Sequence, residues 1–326
     1  MIMAYKRSVY QRAKEILEER KRTAEAEAEM RRSEVMMKCP ELLDIEREMA
    51  QCGADVVKAV GMGGDVAEYV RSLALKNLAA QDKRKSLLKK AGYPENYLDV
   101  KYNCIVCKDT GSHDGYYCPC YKKLIRDVAR EDLDANSPIK KCTFDNFLPN
   151  YYPDVKDSLL GVNQREHMVN TLNFCRAYAE DFSLSSKGII MIGKTGLGKT
   201  HLSLAIANRV LEKGYDVYYD SIQTIMYKLE KEHFGRLAPE ESIKDDVLNC
   251  DLLIIDDLGV EFTTQFTVSE LHNIINTRML RSLPTIISTN LELSELEDKY
   301  TQRIASRIMG SCYPIRFCGK DIRQMK

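Results

Sequence analysis

Eight residues in the middle of the chain, Gly193-Lys194-Thr195-Gly196-Leu197-Gly198-Lys199-Thr200, have the types and spacing of an anion cradle. Glycines let successive backbone N–H groups turn toward one point, and the positive end of a following helix adds to the field there. At this spacing Lys199 would reach the β- and γ-phosphates of a nucleoside triphosphate, and the Thr200 hydroxyl would bind Mg²⁺. His201 stands next to them at the helix start. The flanks suit the chemistry: an apolar run at 188–192 reads as a strand, and an amphipathic stretch from 199 reads as a helix.

A second acidic element lies some fifty residues on. Leu252-Leu253-Ile254-Ile255-Asp256-Asp257 is a buried-strand pattern that ends in two carboxylates. Ligands of open α/β sheets gather at that end of the strands. Asp256 would complete a Mg²⁺ shell and Asp257 would polarise an attacking water; the plainer alternative is an acid pair capping the next turn. Thr285-Ile286-Ile287-Ser288-Thr289-Asn290 repeats the pattern, with Asn290 placed to orient water or sense a γ-phosphate, or simply to form a turn. Arg303 and Arg307 stand one helical turn apart and Arg323 follows. Such arginines stabilise charge on a transferring phosphoryl group, or form a solvated basic face.

The third constellation is Cys104-x₂-Cys107 followed by Cys118-x-Cys120. Four thiolates on two short knuckles suit a closed, structural Zn²⁺ site, with Gly111 and Gly115 supplying turns between them. His113 is an alternative ligand, and a redox dithiol or unbound cysteines are the other readings. Residues 76–141 hold 14 Lys/Arg against 9 Asp/Glu, a mild excess that permits a nucleic-acid contact without demanding one.

The elements that must position these residues divide at about 135. Before it, the pattern predicts a long helix over 1–38 whose apolar stripe fades after Leu17. Of the 21 residues from Lys14 to Glu34, 13 are charged, so this part reads as a solvated arm or a partner-docking helix. Helices are expected at 41–50, 65–91 and 121–132, with a linker at 133–143. After it, strands at 188–192, 217–219, 252–255 and 285–288, and a fifth beginning near Ile315 and Phe317, alternate with helices at 199–213, 222–234, 267–282 and 301–309. That alternation predicts an α/β domain with a parallel five-stranded sheet over 136–326 and a mainly α, zinc-binding region over 1–135.

Composition narrows the classes. With 326 residues, 44% apolar and 29% charged, the chain is an ordinary globular one of about two domains. Lys plus Arg and Asp plus Glu are each 48, which excludes a strongly basic coat protein for nucleic acid. No signal-peptide core or run of ~20 apolar residues is present, and the odd total of 11 cysteines suits thiols and metal ligands in a reducing cytoplasm.

Taken in order and spacing, GKTGLGKT, LLIIDDLG, TIISTN, QRIASRIMG and GKDIR resemble the AAA+ ATPases that load the bacterial replicative helicase, the DnaC/DnaI-like loaders. The transposition-helper ATPases are their near relatives. The resemblance covers about 140–326. It implies an ATP-dependent homo-oligomer acting on the helicase at single-stranded DNA. By motif match Lys199 and Thr200 are Walker A residues, Asp256 and Asp257 the Walker B pair, and Asn290 sensor 1. Arg307, with Arg303 beside it, matches the arginine finger given to a neighbouring subunit, and Arg323 matches sensor 2. The approach segment with Phe144 and Phe147 is expected near the adenine, or as a hydrophobic anchor. Gram-positive-type loaders also carry a zinc-binding, helicase-interacting domain ahead of the ATPase. Two departures stand out. Asp257 replaces the usual Glu, which is expected to slow hydrolysis or make it partner-dependent. Lys326 lies close behind Arg323, so no helical lid is expected. A small-molecule P-loop kinase and a nucleotide-gated adaptor with little hydrolysis are the competing readings.

Overall fold

The computed structural model describes Tyr5 and residues 7–62, 66–235 and 242–322. It divides into two compact units, Lys14–Tyr121 and Met1–Ala13 with Lys122–Lys326. No helix among the described residues is long and apolar enough to cross a membrane.

The Lys14–Tyr121 unit contains most of α1 (Arg7–Lys38), then α2 (Glu41–Met62) and α3 (Val66–Lys90). The stripe on α1 does not fade after Leu17. Ala24, Ala28 and Val35 carry it on at helical spacing, all buried. Alanine contributes little hydropathy, so the continuation is hidden among the charges. It also lets a neighbouring backbone come close. Val35 joins Leu42, Leu88 and Leu98 in a small core, with Tyr93 and Tyr97 packed against it. Arg31 donates to the Tyr97 and Asp99 carbonyls at 3.0 Å each, which fixes the segment after α3. α2 runs twelve residues past the expected end at 50. Beyond α3 a two-residue hairpin, β1 (Ser112–His113) and β2 (Tyr116–Tyr117), turns through Asp114-Gly115, both at positive φ as a tight primed turn requires.

After the first residues of α1, the second unit continues with α4 (Pro119–Asn136), whose own first residues belong to the other unit. The stretch expected as a linker, 133–143, is packed instead. Ile139 is fully buried, and Asn208 Nδ2 donates to the Ile139 and Cys142 carbonyls at 2.7 and 2.8 Å. α5 (Gln164–Glu180) follows, capped by Asn163. Then strands and helices alternate: β3 (Gly188–Ile192), α6 (Lys199–Glu212), β4 (Val217–Ser221), α7 (Ile222–His233), α8 (Ile243–Asn249), β5 (Leu252–Leu258), α9 (Gln265–Leu280), β6 (Thr285–Thr289), α10 (Leu293–Tyr300), α11 (Gln302–Ser311) and β7 (Cys312–Arg316).

All five strands of this sheet are parallel, in the order β4-β5-β6-β3-β7. Side chains alternate across it. Ile190, Ile192, Leu253, Ile255 and Ile287 face a core shared with α7 to α11. The alternate residues Ile189, Met191, Leu252, Ile254 and Ile286 are equally buried, as a sheet covered on both faces demands. Pro314 lies in β7, the edge strand, where its missing N–H costs no ladder bond on the open side.

A fully buried arginine ties the loops beneath the sheet. Arg278 of α9 donates to Thr285 Oγ1 (3.0 Å) and to the carbonyls of Val247 (3.1 Å), Cys250 (2.9 Å) and Pro284 (2.7 Å). Arg278→Met would keep much of the volume and orphan these acceptors. It is expected to cost about 3 kcal/mol, read as a Tm fall of roughly 6–12 °C; a loss within 1 °C would show the carbonyls have other partners.

Candidate functional site

The register of the sheet assembles the site. Ile192 pairs with Thr289 and Ser221 with Asp256, so the residues that leave β3, β6 and β5 emerge side by side. Strand β6 lies between β3, which leads into the phosphate loop, and β5, which carries the acid pair. Gly193 N–H donates to the Thr289 carbonyl at 3.2 Å and joins the loop to that middle strand.

Lys199 is buried at the start of α6. Its ammonium donates to the carbonyls of Gly193 (2.6 Å) and Lys194 (2.8 Å) and to Asn290 Oδ1 (2.6 Å). A buried ammonium needs such a shell of acceptors. Asp256 is buried too. It accepts from Thr200 Oγ1 (3.0 and 3.2 Å to its two oxygens), from the Tyr219 hydroxyl (2.8 Å) and from the Ser288 hydroxyl. Burial, and next the Asp256 charge, keep the Tyr219 phenol far above its ordinary range, so it stays a donor. Tyr219 and Ser288 were not singled out from the sequence. Their signal was a polar group within a buried strand: Tyr219 is the middle residue of β4 and Ser288 the last but one of β6.

Asp257 is positioned differently. The β5–β6 register shifts between Ile255 and Leu258, and Asp257 takes φ +52° at this bulge. A bulge re-aims a side chain, and Asp tolerates the left-handed region better than longer residues do. Its N–H donates to Ser288 Oγ at 2.9 Å. Ser288 thereby joins the two acids, accepting from one backbone and donating to the other carboxylate. Asp257 lines a cavity of about 290 Å³ whose other walls include residues 195–201 and Ile322.

The loop is held from behind. Gly198 has φ +85°, and a Cβ there would sit 2.7 Å from the Phe147 ring and 3.1 Å from the Tyr152 hydroxyl, which donates to the Leu197 carbonyl at 2.7 Å. Phe147 is buried against Tyr152 and His201, so it acts as an anchor beneath the loop. Phe144 lies near the Arg176 guanidinium, 5.9 Å away. Neither ring lines the loop cavity. His201 does line it, with Nε2 2.8 Å from the Thr143 carbonyl. Ile322 N–H donates to the Gly196 carbonyl at 3.0 Å, so the segment before Arg323 closes over the loop; Arg323 itself lies outside the described residues.

Arg303 and Arg307 are not brought to this cavity. They project from α11, and Arg307 Nη1 lies 2.6 Å from His272 Nε2 of α9.

In the other unit the four expected cysteines converge. Their sulfurs all lie within 4.8 Å of one another, with Cys104–Cys118 at 3.7 Å and Cys107–Cys120 at 3.4 Å. Zn–S bonds of ~2.3 Å in a tetrahedron put sulfurs roughly 3.8 Å apart, so the donor set fits zinc. The Asp109 carboxylate, itself buried, accepts from the N–H groups of Asn103 (2.8 Å) and Cys104 (2.9 Å) and shapes the first knuckle. The Cys107 backbone N–H, above all, draws the Cys104 thiol down to about 7. His113 is not in the cluster; its ring is exposed beside Asp114 at 3.2 Å.

A buried lysine and hydroxyl at a glycine-rich loop, an acidic strand end and an intervening strand that ends in polar residues are the features of a P-loop nucleotide-binding domain. Residues 163–324 match the family described as IstB-like ATP binding protein. The replicative helicase loader DnaC of Escherichia coli (strain K12) is 30% identical over 143 residues, 44% of this chain and 58% of that one. The replicative helicase loader DnaI of Bacillus subtilis (strain 168) is 27% identical over 226 residues, 64% of this chain and 68% of that one. A crystal structure of the DnaC helicase loader superposes with a TM-score of 0.46 at 22% identity, covering 56% of this chain and 99% of that chain. The match to DnaC thus spans less than two thirds of that relative's length.

The cysteine cluster predicts one zinc per chain by elemental analysis of the purified protein. Cys107→Ser should lose the metal and raise amide exchange through residues 100–121, since structural zinc contributes on the order of 10 kcal/mol to small modules. Full zinc in this variant would place the metal elsewhere.

Proposed function

We propose that this protein is an ATP-binding and ATP-hydrolysing DNA replication protein that loads or remodels a replicative DNA helicase on single-stranded DNA. The observation that carries the reading is the likeness of its ATPase half to proteins named replicative helicase loaders. The DnaI match is longer than the 163–324 stretch, so that likeness reaches outside the ATPase domain.

In this reading residues 193–200 would grip the triphosphate, with Lys199 at its outer phosphates, while Thr200 and Asp256 would hold Mg²⁺. The metal would supply positive charge against the phosphate oxygens. Asp257 orients and deprotonates the attacking water from the cavity wall, and Asn290 fixes the Lys199 ammonium. Arg307, with Arg303 beside it, serves the nucleotide of a neighbouring copy in a homo-oligomer formed with ATP or helicase. That role is supported by their position outside the lining of this chain's own cavity. Arg323 would complete the site as sensor 2. Hydrolysis is slow and stimulated by partners, because the Asp257 side chain reaches less far than a Glu.

The zinc-bearing region grips the helicase. Ile105 and Val106, on the knuckle between two cysteines, are exposed apolar side chains that support a protein contact there. Contact with single-stranded DNA is weak or depends on assembly. The IstB-like description of the matched family favours a second reading, a transposition-helper ATPase.

The experiment is the mass of complexes formed by the full chain with the host's replicative helicase, with ATP, without it, and with Lys199→Ala. A complex whose mass responds to nucleotide, and ceases to respond in Lys199→Ala, is expected; no complex in any state would overturn the loader reading. Asp257→Asn, which keeps the left-handed backbone, should cut turnover by about 10²-fold or more at unchanged ATP affinity. Unchanged turnover would remove Asp257 from the chemistry.

A further inference from the structure

The contact between Arg307 and His272 has a one-way chemistry. A guanidinium offers only N–H groups, so at 2.6 Å the His272 Nε2 must accept. His272 is therefore neutral, with its proton on Nδ1. Other exposed arginines of this domain meet carboxylates: Arg209 grips Glu180 at 2.8 and 2.9 Å, and Arg316 meets Glu292 at 2.7 Å. Among the described residues neither Arg303 nor Arg307 forms such a pair. A carboxylate at Arg307 would neutralise it and compete with an incoming anion. A neutral ring nitrogen fixes the fork and leaves its full charge available. The rest of α11 helps: the Ser311 hydroxyl donates to the Arg307 carbonyl at 2.7 Å, and the neighbouring stripe of Ile304 and Ile308 is buried and anchors the helix.

We infer that His272 is a positioning residue for Arg307, holding its guanidinium by an Nε2 acceptor in the orientation that meets the terminal phosphate of a nucleotide bound by a neighbouring copy. The inference rests on the reading of Arg307 given above. A cavity of about 550 Å³, lined by Ser269, His272, Thr301 and Arg303, opens beside the pair and gives an anion-bearing surface room to approach.

The surroundings keep the acceptor intact. Burial first, then the Arg307 and Arg303 charges, hold His272 below its ordinary range. Glu270, on its own helix, is engaged by Lys244 of α8 at 3.2 Å, and His233 of α7 packs on Phe266 a turn and a half earlier. The sign follows: His272 stays neutral at pH 7, and the hold on Arg307 is lost only as pH falls below the ordinary histidine range of ~6.5.

The test is ATP turnover of the assembled full chain, on helicase and single-stranded DNA, for wild type, His272→Leu, His272→Gln and Arg307→Ala across pH 5.5–8. His272→Leu should lose about tenfold or more, a part of the ~10³–10⁵ an arginine finger supplies. His272→Gln, which keeps an acceptor that does not titrate, should stay near wild type and lack its acid limb. Mixing His272→Leu with Lys199→Ala subunits should restore turnover, because the second supplies an intact Arg307 to the first subunit's intact nucleotide site. His272→Leu at wild-type turnover, with Arg307→Ala impaired, would overturn the inference and leave the arginine reading standing. Turnover lost in His272→Leu but not restored by mixing would overturn it as well, pointing to damage within the subunit. Arg307→Ala at wild-type turnover would overturn the reading beneath it.

Discussion

Ile192 of β3 pairs with Thr289 of β6, and Thr289 with Leu258 of β5. The phosphate-loop site depends on that register. Three neighbouring parallel strands end at one level, so Gly193, Asn290 and the Asp256–Asp257 pair leave the sheet within hydrogen-bond reach of one another's partners. A slip of one residue would turn Asp256 to the opposite face and strand a buried carboxylate. The middle strand is the key. Without β6 between them, the loop lysine and the acid pair would have no Asn290 and no Ser288 to connect them.

The same constraint explains why the domain buries so many polar groups. Lys199, Asp256, Arg278 and Glu261 are all within the protein, and each has a specific set of partners. Glu261 accepts from the Tyr300 hydroxyl and from Gly259 N–H, and the Lys299 ammonium donates to the Gly259 and Glu261 carbonyls. The loop after the acid pair is thereby tied to α10, which leads into the helix that bears Arg303 and Arg307. Satisfied buried networks of this kind rigidify the segment they tie together.

Much of this was legible in the residues. The phosphate loop, the acid pair and the four cysteines have spacings dictated by the chemistry they serve, and the strands of the parallel sheet are unbroken apolar runs. Other features follow from tertiary context. The α1 stripe continues through Ala24 and Ala28, which hydropathy passes over amid so many charges. Helices α5, α8 and α10 do not stand out in the sequence, although Asn163, Ser242 and Glu292 stand at their caps, since a cap gains meaning only with a buried face behind it. The bulge at Asp257 and the Arg307–His272 bond come from pairing and packing between distant segments, which periodicity cannot encode.

If the buried Asp256 carboxylate, held by Thr200, Tyr219 and Ser288, takes the Mg²⁺ role proposed for it, nucleotide binding is metal-dependent. Titration of ATP into wild type and Asp256→Asn, each with and without Mg²⁺, tests it most directly. Wild type should bind more tightly with Mg²⁺, and the variant, nearly identical in shape, should show one affinity in both conditions. Equal Mg²⁺ dependence in the two proteins would contradict the account.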